Sequence, residues 1–333
     1  MKNIVINGFG RIGRLAFREL MGSSAYRVIA INSHSDPEEL AYLLKYDTVH
    51  GVFGDGEIDF DDNNLFFDGE VIKCYKIDNP EEFPWADLNV DCVLECTGAY
   101  TKYEDAMKHI AAGAKHVIIS APGKGHMKTI VYGVNDYMLK DDDYIISAAS
   151  CTTNCLAPVL NIIDHNFGIE TGFMTTIHAM TNDQNSLDGT HKKGIASRRG
   201  RASAYNIVPA TTGAASAIGE VLPNLKGKLD GIAFRVPVSD GSCIDLSLTL
   251  VREASIEEIN DTLKNNTSMV LKYTEDPVVS SDIIGNKCGS LVDGASTKVL
   301  DYDKHVVKII AWYDNELGYT CQMLRTMDKL LNL

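Results

Sequence analysis

The chain has 333 residues, 45% of them hydrophobic, which is more than one hydrophobic core usually supports, so two domains are expected. With 45 acidic against 31 basic side chains its net charge is -14, which argues against non-specific binding to nucleic acid or an anionic membrane. The 8 cysteines form no dense framework, the start carries no basic-then-apolar leader, and no apolar run is long enough to span a bilayer. A cytoplasmic protein is expected. Cys92 to Cys96 and Cys151 to Cys155 each lack a matching Cys/His pair elsewhere, and no metal site is expected.

In chain order, Asn3-Ile4-Val5-Ile6-Asn7 reads as a short apolar strand, followed by Gly8-Phe9-Gly10-Arg11-Ile12-Gly13 and a helical pattern in Leu15, Ala16, Phe17 and Leu20. Strand, G-x-G-x-x-G and helix in this order bring backbone close to a pyrophosphate at a helix N-terminus, so Gly8, Gly10 and Gly13 are candidate dinucleotide-binding residues. Val28 to Asn32 is a second strand, and the position just beyond it usually carries the carboxylate that grips the adenosine ribose of NAD. Ser33 stands there, with Asp36 close behind. Loss of the carboxylate removes a repulsion against a 2′-phosphate, so NADP is admissible as well.

Leu40 to Lys45 reads as a helix, and residues 51–71 as turns and short hairpin strands. Val90 to Cys96 is a buried strand ending at Thr97-Gly98, Tyr103 to Ala112 a helix, and His116 to Ser120 a strand closing at Ala121-Pro122-Gly123. This alternation predicts a parallel doubly wound sheet, with a ligand crevice at the carboxyl ends of its strands. Ser33, Thr97, Ser120 and Cys151 fall at such ends, and one crevice is expected to collect them.

Tyr144 to Ile146 is another strand, while Leu156, Val159, Leu160, Ile163 and Phe167 recur as on one helix face. Cys151, within Ala149-Ser150-Cys151-Thr152-Thr153-Asn154-Cys155, therefore sits where a strand ends and a helix begins. Unpaired N–H groups and the helix dipole favour an anion there, which predicts a thiol that ionises more easily than a free one. Cys151 is the candidate nucleophile. Gly172 to Ile177 is a strand leading into His178, its candidate base. A loop from about Thr181 to Ala204, rich in Gly, Ser, Lys and Arg, is long enough to be functional or interfacial. Thr211-Thr212-Gly213 opens an alanine-rich helix, residues 232–238 and 243–251 are strands, 255–265 a helix, 306–313 with Val299 further antiparallel strands, and 316–331 a helix. Thr181, Arg199, Thr212, Gly213 and Arg235 supply hydroxyls, guanidinium forks and a helix N-terminus, groups that bind phosphate.

Together with Leu43-Leu44-Lys45-Tyr46-Asp47, Thr176-Ile177-His178-Ala179, Thr181-Asn182-Asp183-Gln184, Thr211 to Ala215 and Trp312-Tyr313-Asp314-Asn315-Glu316, these stretches resemble the phosphorylating glyceraldehyde-3-phosphate dehydrogenases along essentially the whole chain. The expected fold is α/β. An N-terminal Rossmann-type doubly wound parallel sheet takes residues 1–150 and 316–333, and an α+β catalytic domain with a mostly antiparallel sheet takes 151–315. The resemblance implies that Cys151 attacks the aldehyde of glyceraldehyde 3-phosphate, with His178 holding the thiol ionised and accepting a proton. Hydride then passes to NAD or NADP, and inorganic phosphate releases the thioester as 1,3-bisphosphoglycerate. It further implies that Thr181 and Arg235 hold the substrate phosphate, that Ser150, Thr152, Thr212 and Gly213 surround the attacking phosphate, and that Arg199 serves the same area. Arg11, Ile12, Ser120 and Asn315 resemble the dinucleotide contacts, and Thr97, Asn182 and Thr190 join that set. A homotetramer with the long loop at subunit interfaces is implied as well.

Some positions depart from the pattern. Ser33 stands where NAD-dependent members usually have Asp, and Thr190 where Pro is common, as in NADP-using members; Asp78 lies where an arginine often flanks the adenosine and does not favour another phosphate. The cofactor is therefore read as NAD or NADP, with dual use admissible. Leu317 replaces a usual tryptophan, and Lys192 to Ala196 is unlike many members. Two competing readings are an erythrose-4-phosphate dehydrogenase and a dinucleotide-binding regulatory or interaction protein. Thr181 with Thr212-Gly213 weighs against the first, and the presence of Cys151, His178 and the anion-binding set against the second.

Overall fold

Strand β1 (Lys2–Asn7) is apolar on both faces, with Ile4, Val5 and Ile6 fully buried, the pattern of a parallel strand covered on both sides. Ile4 and Ile6 share one core with Ala16, Phe17 and Leu20 of α1 (Arg11–Leu20), whereas Val5 shares another with Val93, Val117 and the Ala106 of α3 (Tyr103–Ala111). Helices on the two faces of one sheet follow. The computed structural model describes residues 1–54 and 56–333, which fall into two units. The first comprises Met1–Ile130, Asp136–Ala149 and Met323–Leu333, and the second Val131–Asn135 and Ser150–Gln322.

The first unit also contains β2 (Tyr26–Asn32), α2 (Pro37–Lys45), β3 (Ile58–Phe60), β4 (Asn64–Phe67), β5 (Glu70–Tyr75), β6 (Cys92–Glu95), β7 (His116–Ile119), β8 (Lys128–Thr129) and β9 (Ile145–Ser147). The sheet order is β3-β4-β5-β2-β1-β6-β7-β9-β8. From β5 to β8 every neighbouring pair is parallel, and β3 and β4 add an antiparallel edge. The doubly wound parallel sheet expected from the strand–helix alternation is present. Two glycines set its central turn: Gly8 has φ 95° and lies so close to Thr97 that a Cβ would come within 2.7 Å of the Thr97 amide nitrogen. A Cβ on Gly13 would meet the Gly8 carbonyl oxygen at 2.1 Å. The start of α1 thus lies directly against the end of β1.

The second unit contains α4 (Cys151–Phe167), β10 (Ile169–Ala179), β11 (Val208–Thr211), α5 (Ala214–Val221), β12 (Leu229–Val236), β13 (Ser242–Leu250), α6 (Ile256–Asn265), β14 (Leu271–Thr274), α7 (Ser280–Ile283), β15 (Ser290–Leu300) and β16 (Asp303–Tyr313). Helix α8 (Leu317–Leu331) closes the chain. The sheet order is β11-β12-β10-β13-β16-β15-β14, mostly antiparallel as expected. The pairs β10–β12 and β14–β15 are the parallel exceptions. Short strands β8, β11 and β14 carry too little pattern to be read from the sequence. Along β10 the buried positions Met174, Thr176 and His178 alternate, which fixes the face that His178 shares.

Replacing Gly13 by Ala forces a Cβ into the Gly8 carbonyl. Urea denaturation should show a loss of about 1–3 kcal/mol, the usual cost of overpacking; an unchanged midpoint would mean that the α1 turn yields freely.

Candidate active site

Ser150 caps α4, its Oγ accepting the Thr153 N–H at 3.2 Å while its carbonyl accepts the Asn154 N–H at 2.9 Å. Ala149, just before the cap, is held at φ 58°, a left-handed conformation strained for a residue with a Cβ. Cys151 is the first helical residue and is half-buried. Its Sγ lies 3.4 Å from His178 Nε2.

The parallel pairing of β10 with β12 sets Arg235 beside His178. Arg235 Nη1 is 2.6 Å from His178 Nδ1 and 3.1 Å from the Ala179 carbonyl oxygen, and that oxygen is 2.8 Å from Nδ1. Two neutral tautomers are therefore supported. With Nδ1–H donating to Ala179, Nε2 turns a lone pair to the sulfur; with Nδ1 accepting from Arg235, Nε2 carries the proton and donates. Tyr313 packs edge-on against the imidazole, at 5.8 Å and 83°. Its hydroxyl lies 2.9 Å from Thr152 Oγ1 and 2.8 Å from Thr176 Oγ1.

Burial, reinforced by the Arg235 charge, pushes His178 down to about 3. The imidazole is neutral. Burial also pushes the Cys151 thiol up, outweighing Arg235 and the Thr152 hydrogen bonds, which pull it down. This corrects the expectation of an easily ionised thiol: the cationic neighbour acts in the expected direction, but desolvation wins. Both shifts favour the uncharged forms of the pair. One turn along, Cys155 is fully buried against Ser290 Oγ at 3.5 Å and the Ala311 carbonyl at 3.9 Å, and burial raises its thiol further.

Arg199 pairs with Asp183 inside the long loop, where Lys193 and Lys192 lie 3.3 and 3.6 Å from the same carboxylate. Burial pushes that carboxyl up, but the Arg199 hydrogen bond and the Lys193 charge outweigh it and hold it below its usual value. Arg199 also bears electrostatically on His178 and Arg235, so Cys151, His178, Arg235 and Arg199 form one cluster, joined by Ser150 and Thr152. Thr181 N–H donates to Gln184 Oε1 at 3.2 Å, at the loop's start. Thr212 and Gly213 lie at the start of α5, where Thr212 Oγ1 accepts the Ala214 N–H at 3.2 Å. Asn315 Oδ1 accepts from Ser242 Oγ at 2.5 Å, and its N–H donates to Asp240 at 3.2 Å. Thr190 holds Asn185 through its carbonyl, at 3.1 Å. Asn182 lies beside Thr181 in the same loop.

In the first unit, Ser33, Thr97 and Ser120 follow the carboxyl ends of β2, β6 and β7, and Gly8 follows β1 between them. Cys151 belongs to the other unit. Hydrogen bonding within α1 begins at Arg14 N–H to Gly10 C=O, so Ile12 and Gly13 lie in the turn whose amides have no intrahelical acceptor. Above Gly10 and Gly98 a Cβ would meet nothing within 4 Å. Such an open backbone cradle fits a pyrophosphate. The Arg11 guanidinium is engaged by Asp47. Burial pushes Asp47 up, but Arg11 and the amides of His50 and Val49 hold it well below the carboxylate range. Ser33 N–H donates to the Tyr75 carbonyl at 2.9 Å, and nearby Asp36 is paired with Lys76.

Residues 2–103 match the family described as glyceraldehyde 3-phosphate dehydrogenase, NAD binding domain, and residues 150–315 match its C-terminal domain. The chain is 50% identical over 328 residues to the glyceraldehyde-3-phosphate dehydrogenase of Clostridium acetobutylicum, covering 98% of each protein. It belongs to the glyceraldehyde-3-phosphate dehydrogenase family. Similar relatives so named come from Clostridium pasteurianum, 50% identical over 329 residues and 98% of each chain, and Streptococcus pyogenes, 50% identical over 325 residues, 97% of this chain and 96% of the relative.

In this member of the glyceraldehyde-3-phosphate dehydrogenase family, Tyr313 and Ser242, which have no role in the sequence pattern, touch the candidate residues Thr152 and Asn315, and Thr176 reaches the site through Tyr313. Tyr313 stood within the Trp312 to Glu316 motif, so the signal was present. What it lacked was the partner, 137 positions away in Thr176.

Two tests follow from this geometry. His178 at about 3 when folded, against an ordinary value of 6.5, means that the unfolded chain binds the extra proton between those values. Stability is therefore full above 6.5 and declines as pH falls toward about 3. His178→Asn should lose less urea-midpoint stability over that window, and equal slopes would show that burial does not depress this imidazole. Tyr313→Phe leaves two buried threonine hydroxyls short of a partner and should cost about 1–3 kcal/mol in the same assay; no loss would mean that the hydroxyls re-pair locally.

Proposed function

We propose that the chain carries out the reversible phosphorylating oxidation of glyceraldehyde 3-phosphate to 1,3-bisphosphoglycerate, with NAD or NADP, through a covalent intermediate on Cys151. The observation that carries the proposal is the 3.4 Å approach of Cys151 Sγ to His178 Nε2 at the N-terminus of α4. The Ala179-bound tautomer turns the Nε2 lone pair toward the thiol. As sulfur bonds to the aldehyde carbon, the thiol proton passes to Nε2, and a thiohemiacetal forms. The Cys151 N–H and the newly protonated Nε2 then face the oxyanion.

Arg235 links binding to this step. Its charge helps to keep His178 neutral, and a substrate phosphate on Arg235 offsets that charge. Binding therefore raises the basicity of the imidazole. A bound nicotinamide would supply the hydride acceptor; the carbon–hydrogen bond of the adduct breaks, the oxyanion electron pair forms the carbonyl, and a thioester on Cys151 results with the proton held on His178 Nε2. Inorganic phosphate next attacks the thioester carbonyl, the carbon–sulfur bond breaks, and the acyl phosphate leaves while Cys151 regains its electron pair.

Thr181 and Arg235 are assigned to the substrate phosphate, Ser150, Thr152, Thr212 and Gly213 to the attacking phosphate, and Arg199 to the same area in exchange for Asp183. Gly8, Gly10, Arg11, Ile12, Gly13, Ser33, Thr97, Ser120, Asn182, Thr190 and Asn315 are assigned to the dinucleotide. The bound Arg11–Asp47 pair makes the Arg11 backbone, not its guanidinium, the contact. Residues 1–150 with 316–333 serve the dinucleotide and 151–315 the chemistry. A cytoplasmic homotetramer is part of the same proposal. In its support, Leu187, Ile195, Tyr205 and Ile207, in and just beyond the long loop, are 72%, 98%, 82% and 68% exposed, an apolar set that a second copy would cover.

Initial rates with glyceraldehyde 3-phosphate and either NAD or NADP, with and without inorganic phosphate, test the proposal. Phosphate-dependent turnover that falls by at least about a thousandfold in Cys151→Ser is expected. Undiminished turnover in that variant, or turnover of erythrose 4-phosphate alone, would overturn it.

A further inference from the structure

A polar chain runs through the interior of the first unit and takes no part in the chemistry above. Asn7, Asn32, Trp85, Glu95 and His109 are each no more than 8% exposed. Both Glu95 oxygens are used: Oε1 accepts the Thr97 N–H at 2.9 Å and the Thr97 hydroxyl, while Oε2 accepts Asn7 Nδ2 and lies 3.3 Å from His109 Nε2. Trp85 Nε1–H can only donate, and it lies 3.1 Å from His109 Nδ1. Nδ1 must therefore be the acceptor, and the ring proton sits on Nε2, aimed at Glu95. Phe83, stacked on the imidazole at 5.3 Å and 8°, fixes its plane.

The other end of the chain reaches the nucleotide-binding turns. Asn7 Oδ1 accepts Asn32 Nδ2 at 2.8 Å, and Asn32 clasps the Ile77 backbone through a carbonyl contact of 3.0 Å and an amide contact of 2.9 Å. Asn7, Asn32 and Glu95 are the last residues of three adjacent parallel strands, β1, β2 and β6. Immediately after them, or one residue beyond, come Gly8, Ser33 and Thr97. One carboxylate, with four donors converging on it, thus joins the strand ends that carry the cradle.

We propose that Glu95 and His109 are positioning residues for the dinucleotide: Trp85 sets the His109 tautomer, His109 orients the Glu95 carboxylate, and Glu95 holds Asn7-Gly8 and Thr97 at the spacing the ligand requires. This rests on the assignment of those turns to the dinucleotide. A buried network of this kind works only when every member is satisfied, because a lost donor leaves a carboxylate lone pair without a partner and frees the group to turn. Glutamine can place an amide N–H where the imidazole Nε2–H lies. Leucine cannot.

The test measures binding of NAD and of NADP to the full chain by titration calorimetry, beside steady-state kinetics and urea midpoints. His109→Leu and Glu95→Gln should weaken dinucleotide binding about tenfold, the worth of one hydrogen bond to a charged group. At saturating dinucleotide, kcat and the KM for glyceraldehyde 3-phosphate should stay within about threefold of wild type, and His109→Gln should recover most of the binding lost in His109→Leu. Variants that bind like wild type, a His109→Gln as weak as His109→Leu, or a kcat that falls in step with affinity would each overturn the proposal. If His109→Leu does not fold, Glu95→Gln and the comparison of His109→Gln with wild type decide alone, since tight binding in the first or an unfilled tenfold loss in the second removes the proposed role. A wild-type chain that binds neither dinucleotide sinks the assignment of the cradle itself, whereas tight binding in wild type and variants alike sinks only the positioning role.

Discussion

The His178 imidazole, closed in between a guanidinium and a tyrosine ring, is held uncharged in the unliganded protein, and the arrangement around Cys151 is built on that constraint. A cation there would face both desolvation and Arg235. The same desolvation keeps Cys151 a thiol. The pair is thus held one proton transfer from thiolate and imidazolium, and the group that restrains it is the one proposed to bind the substrate phosphate.

The first unit meets a different demand, which is backbone placement. Gly8 and Gly13 remove side chains where the start of α1 meets the ends of β1 and β6, and the contacts there leave no room for a Cβ, while Gly10 leaves the backbone open above the turn. Closeness of this kind is useful only if the strand ends stay in register. The Asn7, Asn32 and Glu95 side chains tie those ends together beneath the surface, in an apolar sheet where polar groups would otherwise be costly.

Much of this was legible in the sequence because it is local. The glycine turn, the strand-to-helix junction at Cys151 and the continuous apolar run of β1 each depend on residues close together in the chain. The sign of the Cys151 shift was not legible, since a helix N-terminus can be read from neighbours but the depth of burial cannot. Nor was the pairing of Asp36, just beyond Ser33, with Lys76 across the end of β5. Arg235 could be picked out as a candidate phosphate ligand, yet its place against His178 comes from a parallel register joining residues 57 positions apart. Tyr313 stood in a recognisable motif, and only the pairing of β13 with β16 gave it a task.

That reliance on distant pairing has a consequence for the nascent chain. Cys151 is synthesised well before Arg235 and Tyr313, and parallel pairing of β10 with β12 closes a long loop, which is slow compared with local structure. Until β12 and β16 dock, His178 has neither the guanidinium nor the ring that define its state. An unfinished chain on the ribosome therefore carries Cys151 and His178 without the burial and the neighbouring charge that set their resting state in the finished sheet.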